Sequence, residues 1–233
     1  MLESYTISEG TCYTTKDWRD QILFWTTQNS YYLLYTADRI KYGQEIYDRY
    51  ANGEHNVSET MKLEADVLGT IKIMTATENY MKAVVLDNDF VIHKIIKEKA
   101  ENLFKLQKKE PVSIEQIFEA ESLTLPLASN YIFETLSNQT INFSLILNSP
   151  KYSAMFNFNP DIIDFLNDLN NKRNSLHYLT VVSSKFSNGI NEKYLNLKEI
   201  LTDELITINE KLGKKMKLSD KSFLSTIHKT AGN

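Results

Sequence analysis

The sequence predicts an all-α fold, a bundle of long antiparallel helices interrupted by a short-helix and loop insertion. Three observations carry this prediction. Apolar residues recur at helical spacing along nearly the whole 233-residue chain, which holds only 7 Gly and 4 Pro. That scarcity disfavours turn-dense sandwiches and barrels, and equally the Gly-rich phosphate loops of nucleotide enzymes. Finally, several helix-start and helix-stop signals fall where the periodic segments begin and end.

Lys16 to Tyr50 reads as one long helix that stops at Ala51-Asn52-Gly53, with Gly53 suited to the left-handed position after a helix. Its aromatic residues, Trp18, Phe24, Trp25, Tyr31, Tyr32, Tyr35, Tyr42, Tyr47 and Tyr50, read as core or dimer interface rather than a base-stacking surface. A second helix starts at the capping box Asn56-Val57-Ser58-Glu59 and runs to about Leu86. Its seam is Val67, Ile71, Met74, Glu78, Met81 and Val85, in which Glu78 interrupts an apolar row. A third helix is expected after an Asp87-Asn88-Asp89 cap, carrying Val91, Ile92, Ile95, Ile96, Leu103 and Leu106, and ending at Lys108-Lys109-Glu110-Pro111. Ser113-Ile114-Glu115-Gln116 is a capping box opening a short helix.

Residues 127–148 carry both periods. Leu136, Phe143 and Leu147 fit a helix, and Ile141, Phe143, Leu145 and Leu147 alternate like a strand; helix is the expectation, from the helical neighbours. Asn148 to Pro160 reads as an aromatic-rich loop. A helix then runs from Pro160 to about Ser183, and the last from Asn191 to Leu212, with Tyr194, Leu197, Leu201, Leu205, Ile208 and Leu212 inward and Gly213 as its stop. The expected organisation is an N-terminal extension over 1–15, one helical domain over 16–212 and a basic tail over 213–233.

Charge and composition narrow the function classes. A net charge of −4 disfavours a broad non-specific nucleic-acid binder. The distribution is uneven, however, since residues 211–233 carry a net +5 and the rest −9. That tail can reach a phosphate backbone, or it is a solvated terminus. Met1–Gly10 holds two acids and no basic stretch, and no apolar run approaches the ~20 residues that cross a bilayer, so a cytoplasmic protein is expected. The single cysteine, Cys12, excludes disulfide scaffolds and is expected in an N-terminal loop as an inert thiol. His55, His93 and His228 have no ligand spacing, so no metal and no other cofactor is expected. No Ser/His/Asp pattern with a Gly elbow is present.

Arginine is the informative residue. There are 22 Lys but only 4 Arg, and three of those, Arg19, Arg39 and Arg49, lie in the first helix. Arg173 stands alone. Asn159-Pro160-Asp161 supplies its helix with an N-cap, a proline at the first position and an acid facing the dipole. At about 100° per residue from Ile162, Leu166, Leu169, Leu176 and Thr180 cluster within roughly 40° of zero. Asp161, Asp164, Asp168 and Lys172 fall on the opposite, wet face. Arg173 comes at about 20°, within the apolar stripe, and His177 at about 60°. A guanidinium keeps its proton, so turning it inward demands a carboxylate, an anionic ligand or a wet cleft. Glu78 is the candidate partner within the chain.

Asn-Lys-Arg173-Asn174-Ser-Leu-His177-Tyr, late in a series of long helices, resembles the signature of the HEPN superfamily, whose motif is Arg, commonly a polar residue, then His after four to six intervening positions. Here three residues intervene; Lys172 restores four but replaces a planar fork by a point charge. The resemblance implies an all-α homodimer cleaving single-stranded RNA without a metal, in a toxin or phage-defence setting, with an antitoxin or nucleotidyltransferase as partner. In that chemistry His177 moves a proton for the attacking 2′-hydroxyl or the leaving 5′-oxygen, and Arg173 binds the charge that develops on phosphorus oxygens. Asn174 and Tyr178 would line the site, with Lys172 and Glu78 beside them. Two other readings stand next to it. One is a catalytically degenerate HEPN-like module that binds RNA or a protein. The other is a purely structural bundle in which Arg173 pairs with Glu78.

Overall fold

Residues 59–124, 131–176 and 190–216 are described by the computed structural model, with Cys12, Tyr13, Leu23, Thr26, Thr27, Asn29, Ser30, Leu33 and Asn52. Among them helix predominates, as predicted, but short antiparallel strand pairs accompany it, so the described residues are mostly helical rather than all-α. The six described residues from Leu23 to Leu33 are helical, and the rest of the expected first helix lies outside the described residues. No described helix is long and apolar enough to cross a membrane.

The second expected helix is present as α1, Glu59–Asp87. Met74, Met81 and Val85 of its seam are buried, whereas Ile71 is exposed and the Val67 side chain lies outside the described residues. From Tyr80 to Leu86 every residue is buried, so this stretch is covered on all sides rather than along one stripe. The helix ends in a Schellman motif. Phe90 N–H donates to Val85 C=O at 3.1 Å and Asp89 N–H to Leu86 C=O at 3.0 Å, with Asp89 in the left-handed region at φ 64°. Asp87-Asn88-Asp89 therefore closes α1 instead of opening a third helix. Asp and Asn tolerate the left-handed conformation better than other non-glycine residues, which is why the same triplet serves as a stop.

The third expected helix is corrected at its beginning. Residues 91–96 are Val-Ile-His-Lys-Ile-Ile, four of six β-branched, and they form strand β2, His93–Ile95, with its flanks. Helix α2 begins only at Glu101 and ends at Gln107. The Ser113 capping box is present as expected: Gln116 N–H donates to Ser113 Oγ at 3.2 Å and Ser113 N–H to Gln116 Oε1 at 2.8 Å, opening α3, Ile114–Ala120. Cys12–Tyr13 is not a loop but strand β1, paired antiparallel with β3, Tyr131–Ile132.

The helix expected over 127–148 is corrected as well. Behind β3, a turn at Glu134-Thr135 leads into β4, Leu136–Thr140, which pairs antiparallel with β2; only Phe143–Asn148 is helical, as α4. The strand falls on the polar run Ser137-Asn138-Gln139, which carries neither period. The expected loop after Asn148 contains a one-turn helix, α5, Pro150–Ser153. Helix α6 spans Pro160–Leu176, and α7 spans Ile190–Met216, running through Gly213 instead of stopping there. A single glycine costs a helix about 1 kcal/mol, too little to end one that is otherwise favoured.

The chain divides into two compact units, the described parts of Met1–Trp25 with Met81–Asn157, and those of Thr26–Tyr80 with Phe158–Asn233. In the first, Val91, Ile95, Val112, Ile117, Phe133 and Leu136 form the core. Phe133 stacks on Phe118 and meets Tyr131 edge-on, with centroids 5.9 and 5.2 Å apart. The amide of Gln107, only 5 % exposed, completes β2 as a strand would: Ile95 N–H donates to its Oε1 at 3.0 Å and its Nε2 donates to His93 C=O at 2.8 Å. Glu121 binds the turn before β4, accepting from Tyr131 Oη, Thr135 N and Thr135 Oγ1 at 2.6–2.7 Å. In the second unit, α6 packs against α7, and Ser30 Oγ donates to Ala76 C=O of α1 at 2.7 Å. Leu197, Leu201, Leu205 and Ile208 of α7 are buried, as the spacing predicts.

His93 generates a pH prediction for the first unit. Burial, and then the charge of Lys82, lower its pKa to about 4 from 6.5. The unfolded chain thus takes up the proton first as pH falls, so stability is full above pH 6.5 and is lost between about 6.5 and 4. Between pH 8 and 5 this one group removes about 2 kcal/mol of unfolding free energy. Denaturant titrations at both pH values check it: His93→Gln should show a loss smaller by that amount, and an unchanged loss would contradict the assignment.

Candidate functional site

The site is built on α6, whose start is set as the sequence predicts. Asn159 caps it, its Oδ1 accepting from Ile162 N–H at 2.9 Å, and Pro160 occupies the first helical position. The faces sort as expected: Ile162, Phe165, Leu166 and Leu169 are buried, while Asp161, Asp164, Asp168 and Asn171 are exposed. The row of three carboxylates is therefore a solvent face. Among the described residues no three His, Cys, Asp or Glu side chains gather as metal ligands would.

Arg173 is turned inward and is met there by the predicted acid. Its Nη1 donates to Glu78 Oε2 at 3.2 Å, and its Nη2 donates to Asn170 Oδ1 at 2.9 Å. The Arg173 side chain is 27 % exposed and that of Glu78 23 %, so the pair is half-buried rather than sealed. Asn170, at 7 %, is nearly sealed. Three residues before Arg173, it occupies the neighbouring position on the same helical face and needs no chain rearrangement to reach the guanidinium. Asn174 is exposed one residue on. The side chain of Lys172, and the whole of His177 and Tyr178, lie outside the described residues.

A second polar contact of this unit lies on the opposite side of α1. Tyr80, fully buried, donates through its hydroxyl to Glu204 Oε2 of α7, and its ring lies 5.9 Å from that of Phe158. Burial first, and then the hydrogen bond to Glu204, push the tyrosine's pKa far above its ordinary value, so the hydroxyl stays a donor throughout the physiological range. Two residues apart, Glu78 and Tyr80 face about 200° apart on α1, one toward α6 and the other toward α7.

Thus the structure brings together Arg173 and Glu78, as predicted from the two breaks in apolar seams, and adds Asn170, which the sequence pattern does not single out. A signal for it exists: at about 80° from Ile162 it is a polar residue at the edge of the same stripe. Tyr80 and Glu204 also escape sequence reasoning; each lies in a segment of correct helical period whose polar atoms carry no sign of their partner. Chemically, the cluster is a permanent cation neutralised by a carboxylate and oriented by an amide. An open groove of mixed lining, with Lys99, Glu101, Asn102, Leu103, Gln116 and Ala120 among its residues, belongs to the other unit and contains none of the predicted site residues.

In comparisons with known proteins, no family model matches the chain, nor does any curated protein or solved structure.

The geometry separates two asparagines of one helix. Asn170→Ala removes the buried acceptor of Arg173 and is expected to lower unfolding free energy by about 1–2 kcal/mol. Asn174→Ala, at an exposed position, is expected to stay within about 0.5 kcal/mol of the parent. Urea titrations of both variants check the contrast; equal effects would contradict the placement of Asn170.

Proposed function

We propose that the chain is a catalytically degenerate, HEPN-like helical module of the cytoplasm that binds RNA. The observation that carries this form over a ribonuclease is the engagement of both terminal nitrogens of Arg173 by Glu78 and Asn170. Transition-state stabilisation relies on a preorganised charge aimed at the reacting group, without reorganisation at the moment of reaction. A guanidinium resting on its own carboxylate has its charge already answered. The three-residue interval between Arg173 and His177 points the same way, since it falls short of the motif the sequence resembles. Binding makes lesser demands than catalysis. It tolerates a cation that changes partners, and the net +5 of residues 211–233 adds attraction for a phosphate backbone.

A second reading keeps the catalytic role: metal-independent cleavage of single-stranded RNA by 2′-hydroxyl attack, with His177 moving the proton and two copies pairing their motifs. It is favoured by the partial exposure of Arg173 and by the exposed Asn174 on the same turn, which leave that turn accessible from solvent. A bound antitoxin or nucleotidyltransferase belongs with this reading.

Incubating the full chain with labelled single-stranded RNA in EDTA tests both. The binding module predicts retention of RNA that weakens as salt rises, with a log–log slope of about −0.7 per phosphate contacted, no scission, and the same result for His177→Ala. Products with cyclic phosphate ends that vanish in His177→Ala would overturn it in favour of the ribonuclease. Absence of binding at low salt would overturn RNA as the ligand.

A further inference from the structure

We propose that Asn52 is a site of spontaneous covalent modification, where the side-chain amide closes onto the backbone nitrogen of Gly53 and the residue passes to aspartyl and isoaspartyl forms. The chain holds two Asn-Gly pairs, Asn52-Gly53 and Asn188-Gly189, and Asn188 lies outside the described residues. Asn52 is an exposed turn residue.

The reaction needs no co-reactant but water. The Gly53 amide nitrogen gives its proton to solvent and attacks the carbonyl carbon of the Asn52 side chain. The new C–N bond closes a five-membered succinimide, and the side-chain nitrogen takes up a proton and leaves as ammonia. Water then opens the ring. Attack at the side-chain carbonyl gives an aspartyl residue. Attack at the main-chain carbonyl gives an isoaspartyl residue, whose main chain is longer by one methylene. Either product replaces a neutral amide by a carboxylate and takes the formal charge from −4 to −5.

Ring closure demands solvent to take the proton, an uncrowded nitrogen in the next residue and a backbone not held elsewhere. Glycine supplies the second, because it has no Cβ to block the approach. Among the described residues, Asn52 alone is both exposed and followed by glycine. Other exposed asparagines fail on the third condition as well. Asn171 and Asn174 lie in α6, where the next N–H belongs to the helical ladder. Behind Asn138, the N–H of Gln139 donates to Ser137 Oγ at 3.2 Å. Asn88 donates its own amide to Val84 C=O at 2.8 Å, and the N–H of Asp89 donates to Leu86 C=O.

The experiment is prolonged incubation of the full chain at neutral and mildly alkaline pH, both folded in buffer and unfolded in guanidinium chloride. Peptide mapping by mass spectrometry follows each asparagine, and an isoaspartyl-specific carboxyl methyltransferase with labelled S-adenosylmethionine marks the isoaspartyl product. The peptide carrying Asn52 is expected to gain one mass unit and to separate into two products, one of which takes the label. Its conversion should quicken with pH and run as fast in the folded chain as in the unfolded one, while the peptides of Asn88, Asn138, Asn171 and Asn174 keep their mass in buffer. Conversion of Asn52 that occurs in denaturant but not in buffer would overturn the proposal, because the fold would then protect the amide. Conversion of any of those four ahead of Asn52 would overturn it too. Gly53→Ala should slow the reaction, and an unchanged rate would overturn the cyclisation; this comparison is read in denaturant, so it holds whether or not the variant folds.

Discussion

A guanidinium cannot shed its charge, so wherever a helix turns one away from solvent the surroundings have to answer it. In the unit built on α1, α6 and α7, that constraint acts at Arg173, and the local arrangement follows from it. Glu78 interrupts an otherwise apolar seam of α1 to meet Nη1, and Asn170, one turn earlier on α6, is withdrawn from water to meet Nη2. The contact links α1 to α6. On the opposite face of α1, the Tyr80–Glu204 hydrogen bond links it to α7. One short stretch of helix thus carries specific polar ties to both of its partners. Polar ties of this kind add little net stability beyond apolar packing, but they penalise every register in which their members fail to meet.

The same cluster bears on function because it answers a charge without sealing it. A fully buried Arg–Glu pair would serve structure alone, and a solvent-exposed one would rearrange at no cost. Arg173 and Glu78 lie between these limits, with about a quarter of each side chain reachable by water. The buried amide of Asn170 fixes the other end of the same guanidinium.

Much of this is legible in the sequence wherever one period rules a segment. In α6 the faces, the cap and the inward arginine all follow from the spacing, and Glu78 stands out as the only acid in its seam. The buried row of α7 follows equally well. Legibility fails where short-range signals carry two meanings. Asp87-Asn88-Asp89 is as good a helix stop in a Schellman motif as it is a helix start, and the choice is made by Val91-Ile92 beyond it, β-branched and committed to an extended course. Strand β4 is polar at Ser137-Asn138-Gln139 and owes its place to pairing with β2, while Gln107 completes β2 from a helix twelve residues on. Cys12 and Tyr13 are strand only because Tyr131 and Ile132, far along the chain, pair with them. Non-local hydrogen bonding of this kind leaves no local pattern. Asn170 and Tyr80 illustrate the same limit for side chains: their positions are clear in the sequence, their partners are not.

The local architecture requires that Arg173 and Glu78 act on each other in the folded protein. A double-mutant cycle reads that directly, with unfolding free energies of the parent, Arg173→Met, Glu78→Gln and the combined variant measured by urea titration under one condition. A favourable coupling of about 1 kcal/mol is expected, with the second substitution costing less once the first is made. Effects that add within about 0.3 kcal/mol would mean that the two charges do not depend on each other, and would contradict it.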